Sequence, residues 1–215
     1  MTTAAPTDRS SRGFLLIVAA IVVVGLLAVA VVATNRDGDA TGEQTAIVEV
    51  DGVALVELPP DVQITDVASD PAAGTVAPTL AGTDFGGTEV SIAPDGRPKV
   101  VYFLAHWCPH CQEEVPVVQQ LIDDGQVPDG LDLYAVSTAV DAGRSNYPPE
   151  GWLADEGFTP LTLRDDTASA AFRAYGGSGF PYVVYLDGDN RVLARSAGNL
   201  PADAILSLWA STAIG

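Results

Sequence analysis

Lys99 to Ala105, "KVVYFLA", is the stretch that most limits what this chain can become. After its opening lysine it carries no charge and is dominated by β-branched and aromatic residues. Such runs form strands buried on both faces, because a strand with one wet face alternates polar and apolar residues. A strand covered on both sides needs a sheet with a layer on each side, and the pattern around it supplies the parts. "TEVSI" (Thr88–Ile92) alternates like an edge strand. A helix is expected from the cysteine pair at Cys108 and Cys111 to about Ile122, with Val115, Val118, Leu121 and Ile122 as its apolar face and Pro116 as a kink. Leu131–Thr138 reads as the next strand, followed by a helix around Trp152, a short strand at "LTL" and a helix from Asp166 to Tyr175 capped by Asp166. Pro181–Gly198 reads as a hairpin turning at Asp187–Asn190, and a helix opened by Pro201 closes the chain. Strands alternating with helices and ending in an antiparallel hairpin predict an α/β fold, a mixed central sheet with helices on both faces.

Phe14 to Ala33 is uncharged throughout. As a helix it would span roughly 30 Å, the thickness of a bilayer's hydrocarbon. It exceeds the ~7–15 residues of a signal-peptide core, so a retained transmembrane helix is expected in place of a cleaved leader. Arg9 and Arg12 precede it with only Asp8 as an acid, whereas Arg36, Asp37, Asp39 and Glu43 follow it. The positive-inside bias therefore predicts a cytoplasmic N-terminus at 1–13, a single-pass helix at 14–33 and an extracytoplasmic remainder anchored in the cell membrane. Residues 34–76 read as a linker, with a candidate β-hairpin at 46–58 turning at Asp51-Gly52, and 77–215 as the folded domain. The formal net charge of −18 argues against nucleic acid as a partner, which needs a basic footprint.

The two cysteines, Cys108 and Cys111, sit in "HWCPHC". Two cysteines cannot build a multi-bridge scaffold, and a disulfide closing so small a loop stabilises little. Structural zinc needs four ligands; His106 and His110 lie too near the cysteines to wrap one ion with them, although a two-thiolate Cu(I) site stays open. Redox chemistry uses every feature. A buried strand delivers the chain to a loop, and a helix begins at Cys108, where unpaired N–H groups and the helix dipole favour a thiolate. Cys111, one turn later, can resolve a mixed disulfide. His110, and Pro109 beside it, would tune that thiolate; His106 reads as a rim residue.

The chain resembles the thioredoxin-fold, membrane-anchored TlpA-like thiol–disulfide oxidoreductases from about Ala77 to its C-terminus. "APTL", then "KVVYFLAHWCPHCQEEVPVVQQL", is similar to that family's entry strand, W-C-x-x-C motif and first helix, with Pro116 at the family's helix-kinking position. By this resemblance, Pro181 in "GFPYVVYLDGD" is a cis-proline facing a redox-active Cys108–Cys111 disulfide. Trp107, Phe180 and Pro181 then form the substrate cleft. The resemblance implies a thioredoxin-like fold and no cofactor. Its implied partners are exported cysteine-containing proteins and a membrane or soluble redox partner. Tyr102 stands where thioredoxins carry a buried acid, and "CPHC" is similar to the strongly oxidising bacterial disulfide-forming enzyme. The expected function is oxidation of exported proteins. The alternatives are reduction for cytochrome c maturation, or copper-binding assembly through the same cysteines.

Overall fold

The computed structural model describes residues 46–59, 63–64 and 69–215. The expected cytoplasmic N-terminus and transmembrane helix lie outside these residues, among which no helix is long and apolar enough to cross a membrane. Three short strands, β1 (Glu49–Asp51), β2 (Thr79–Thr83) and β3 (Glu89–Ile92), form a small antiparallel sheet in that order. The main sheet contains β4 (Lys99–Leu104), β5 (Asp132–Ser137), β6 (Leu161–Arg164), β7 (Tyr182–Leu186) and β8 (Val192–Ala197), ordered β6-β5-β4-β7-β8. β4 and β5 are parallel, as are β5 and β6, whereas β7 runs antiparallel to both β4 and β8. The helices are α1 (Pro109–Asp123), α2 (Pro149–Asp155), α3 (Ala170–Ala174) and α4 (Ala202–Ala213).

All six residues of β4 are buried, as its composition requires, and their alternation divides the interior. Val100, Tyr102 and Leu104 face one core with Val115 and Val118 of α1, Trp152 of α2, and Ile205 and Trp209 of α4. Val101 and Phe103 face the other, with Ala171 and Ala174 of α3 and with Leu80, Val90 and Ile92 of the small sheet. Helices therefore cover both faces of a mixed sheet, and the small sheet completes the second layer.

Three expectations change. Asp51-Gly52 does not turn a hairpin: β1 pairs with β2, Val50 opposite Leu80, and the chain then runs extended past α3. Leu55 N–H donates to Ala174 O at 2.8 Å and Leu58 N–H to Gly176 O at 2.9 Å. The physical reason is burial. Leu55 and Leu58 are 5% and 0% exposed in the second core, each worth ~1.5–3 kcal/mol there, and a local hairpin would leave both in water.

The folded unit accordingly begins near residue 46, not 77, and Thr45–Gly215 forms one compact unit. Buried Asp70 holds Arg195 of β8 through Nε at 2.8 Å and Nη2 at 2.5 Å, while Arg195 Nη1 donates to Val56 O at 2.7 Å. The third change is at α3, which starts only at Ala170. Its amide groups are held by Asp166, which accepts from Ala170, and by buried Asp165, which accepts from Ala171 and Phe172.

The segment before residue 77 is thus expected to carry folding energy. Leu58→Ala should cost ~2–5 kcal/mol, the range for a buried leucine, and Asp70→Ala ~3–5 kcal/mol by breaking its buried ion pair with Arg195. Urea unfolding of the fragment from Thr45 onward measures both; two losses below about 0.5 kcal/mol would restore the linker reading.

Candidate active site

β4 ends at Leu104, and four residues later Cys108 caps α1 in an extended conformation (φ −78°, ψ 122°), with Pro109 in the first turn and no side-chain cap. Proline there fits a position whose N–H would be unpaired anyway. The absent side-chain cap leaves the first-turn amide groups available to the Cys108 sulfur. Both thiols are free: Cys108 is 7% exposed and Cys111 fully buried. The thiol of Cys108 is lowered to about 6, chiefly by the S–H group of Cys111 donating to it. Burial works against this, while the backbone N–H groups of Cys111 and His110, and last the charge of His110, work with it. Cys111 is driven far above the ordinary thiol range because its proton is held by Cys108 and because it is buried.

Across the cleft the Phe180–Pro181 bond is cis, and Phe180 O lies 3.6 Å from Cys108 Sγ. Trp107 meets Phe180 edge-on at 5.9 Å and donates from Nε1 to Ala139 O at 2.7 Å, with the Arg144 guanidinium 3.8 Å above its ring. Cys108, Cys111, Trp107, Phe180 and Pro181 are thus brought to one place by the ends of β4 and β7.

The histidines exchange their expected importance. His110 is 60% exposed and turns its Nδ1 to Glu113 Oε2 at 3.3 Å, so its imidazole is a minor influence on Cys108. His106 is 1% exposed and not a rim residue. Its Nδ1–H donates to Ser145 O at 2.7 Å while its Nε2 accepts from Asp141 N–H at 3.1 Å. It pins the loop that carries Ala139 and Arg144 over Trp107. With both nitrogens engaged it is unavailable as a third ligand beside the thiols, and among the described residues no three His, Cys, Asp or Glu cluster as a metal site.

One residue was missed by reading the sequence alone. Glu114 is 3% exposed, and burial raises its carboxyl to about 7 against a stabilising N–H from Leu200 at 2.8 Å. It stands one helical turn beyond Cys111 on the buried face of α1, near enough that its charge helps raise the Cys111 thiol. Tyr102, at the position expected for an acid, instead accepts a hydrogen bond from Trp209 Nε1 at 2.8 Å, and burial holds its hydroxyl protonated. The available signal was spacing: a glutamate three residues after Cys111 falls on the stripe of Cys111, Val115 and Val118.

Residues 60–207 match the Redoxin family. The chain belongs to that family. It is also 32% identical over 111 residues to the thiol:disulfide interchange protein HelX of Rhodobacter capsulatus; the match takes in 52% of this chain and spans 58% of HelX. Among solved structures it is similar to a DsbF homologue from Corynebacterium diphtheriae, with TM-score 0.60 and 17% identity, covering 74% of this chain and 99% of that one. A putative thiol:disulfide interchange protein DsbE from Chlorobium tepidum gives TM-score 0.54 and 24% identity, over 66% and 98%. These similarities establish the thioredoxin-like fold of this Redoxin-family chain.

The order of causes at Cys108 is testable. Thiolate absorbance of the reduced protein should show a midpoint near pH 6. Cys111→Ala should raise it more than His110→Ala, and the histidine change should amount to less than about one unit (~1.4 kcal/mol). A larger shift from His110→Ala would return the histidine to the centre of the site.

Proposed function

We propose that this protein is a membrane-tethered, extracytoplasmic thiol–disulfide oxidoreductase that acts on exported cysteine-containing proteins, with Cys108 as the nucleophile and leaving group and Cys111 as the resolving thiol. One observation carries this reading: a thiol near 6 at a helix N-terminus, hydrogen-bonded to a fully buried second thiol three residues on. The similarity to HelX, by name a thiol:disulfide interchange protein, supports it.

In the oxidising direction a client thiolate attacks Cys108 Sγ of the Cys108–Cys111 disulfide. The S–S bond breaks, its electron pair stays on Cys111, and a proton from Glu114 neutralises that sulfur. A second client thiolate then attacks the client sulfur of the mixed disulfide and expels Cys108 as its stable thiolate, leaving client oxidised and enzyme reduced by two electrons. Low-pKa thiols leave fastest, so Cys108 suits this second step. In the reverse direction Cys111 must lose its proton to attack, and a carboxylate near 7 is poised to take it. The Phe180 carbonyl and the Trp107 face would align the client backbone beside Cys108.

Oxidation of exported proteins is the direction we assign. At pH 7 a thiol near 6 stabilises the reduced form by ~1.4 kcal/mol over an ordinary thiol, raising the potential by ~30 mV. A second reading, reduction as in cytochrome c maturation, is favoured by the turn of His110 toward Glu113, which removes the imidazole as a strong oxidising influence. Equilibration of the fragment from Thr45 onward with glutathione decides between them. A midpoint above about −230 mV is expected, and a value at or below that of thioredoxin, about −270 mV, would assign the reductant role. Absence of any exchange with a dithiol would end the enzyme reading.

Glu114→Gln should slow opening of the Cys108–Cys111 disulfide by a client thiolate and, in the reverse direction, attack of Cys111 on the mixed disulfide, by about 100-fold, the lower end of the range for a lost general acid–base group. Because the carboxyl of Glu114 is raised above its unfolded value, its protonated form favours folding below about pH 4.5, and that advantage is lost as pH rises to about 7. The Gln variant should therefore be more stable than wild type at pH 8, by up to ~3 kcal/mol, and equal to it at pH 4. A variant less stable at pH 8 would contradict the placement of a buried charge there. For topology, a reporter fused after Gly215 should be active only if it works outside the cytoplasm; a signal from a cytoplasm-only reporter would overturn the anchored, extracytoplasmic arrangement.

A further inference from the structure

Beside the first turn of α1 lies a cavity of about 490 Å³, within the ordinary size range of ligand pockets. One wall is tied to the redox loop by hydrogen bonds. Gln112 follows Cys111, and Gln112 Nε2 and Asn146 Nδ2 both donate to the carbonyl of His106, two residues before Cys108, at 2.9 and 3.3 Å. The opposite wall is α2 and its end, which contribute Gly151, Trp152, Asp155 and Glu156.

Two features of this cavity lack a partner. Asp155 and Glu156 line it with no basic residue among the lining side chains, and neither forms an ion pair among the described residues. Trp152 is only 6% exposed, yet its indole N–H has no acceptor among the described residues. A buried donor without an acceptor bears its full desolvation cost, and an occupant that brings an oxygen would remove it. The cavity thus asks for a cation and a hydrogen-bond acceptor in one ligand, beside the helix that Cys108 caps.

We infer that this cavity is a specificity subsite for a lysine or arginine near the reacting cysteine of a peptide client. The cationic head would meet Asp155 and Glu156, and a client carbonyl would accept from Trp152 Nε1. This rests on the oxidoreductase reading above and adds to it a sequence preference. Gly151 supplies the means of closing the cavity. A Cβ there would have ordinary contacts, 3.8 and 3.9 Å from Pro148, so a long side chain at 151 fills the space without a backbone clash.

The probe is a set of short peptides with one cysteine activated as a mixed disulfide and either lysine or its uncharged isostere norleucine two to four residues away on either side. The rate ratio, lysine over norleucine, is taken within each protein at low and high salt. Wild type should prefer lysine at its best spacing by about fivefold, the upper range for a partly exposed ion pair. Asp155→Asn with Glu156→Gln, and separately Gly151→Met, should bring the ratio to about one. The same charge change made far away, at exposed Glu89 and Asp129, should leave it near five, which separates the cavity from general attraction to an acidic protein. In wild type the Trp152 indole N–H resonance should move when a cysteine-free lysine peptide binds. A ratio near one in wild type, a ratio that survives both cavity variants, or an indole resonance that stays still would each overturn the subsite while the enzyme reading stands. Loss of exchange with the norleucine peptide and with dithiothreitol in wild type would instead remove the enzyme reading, and the subsite with it.

Discussion

Everything in this molecule is arranged around the double-sided burial of β4. Its six residues are all removed from water, and their alternation sends Val100, Tyr102 and Leu104 into one core and Val101 and Phe103 into the other. A strand held from both sides has no freedom to slide, since a one-residue shift would exchange the two sets of side chains. Its end is therefore a fixed point in space, and Cys108 lies four residues beyond it. The precision of the redox site is inherited from the least reactive part of the chain.

From that fixed point, the chemistry depends on an asymmetry between two identical side chains. Cys108 sits at the start of α1, where free amide groups and a donated S–H stabilise its charge, while Cys111 is fully buried and keeps its proton. Each thiol defines the other, because the hydrogen bond that lowers Cys108 is the same one that raises Cys111. Glu114 adds a third titrating group on the same face of α1, raised by burial into the range where it can exchange a proton near neutrality.

The segment before residue 77 is tied in by polar means as well as apolar ones. Buried Arg195 pairs with Asp70, and it also holds Val56 O and the Tyr182 hydroxyl. Tyr182 in turn donates to Tyr175 O, and Tyr175 donates to Pro78 O. This chain of bonds links the strand that follows Pro181 to the N-terminal segment, so the side of the cleft opposite the cysteines rests on residues far from it in sequence. Each tyrosine hydroxyl is kept protonated by burial and so remains available as a donor.

Patterns local in the chain were legible from the residues alone: the buried run at Lys99–Ala105, the helix beginning at the cysteine pair, the Asp187–Asn190 hairpin, and the unequal surroundings of two thiols three residues apart. These follow from the period of side chains on strands and helices and from the unpaired amide groups at a helix start, which need no distant partner. What only the tertiary structure decided were the pairings across distance. Asp51-Gly52 is a good turn signal, but Leu55 and Leu58 gain more by filling a core made by α3 and the small sheet. The two histidines look alike in "HWCPHC", yet one is buried against a loop 35 to 40 residues away and the other faces solvent. Glu114 looks like one more acid in a chain of net charge −18. Burial alone raises it into the titrating range, and burial depends on what the rest of the chain lays over the helix.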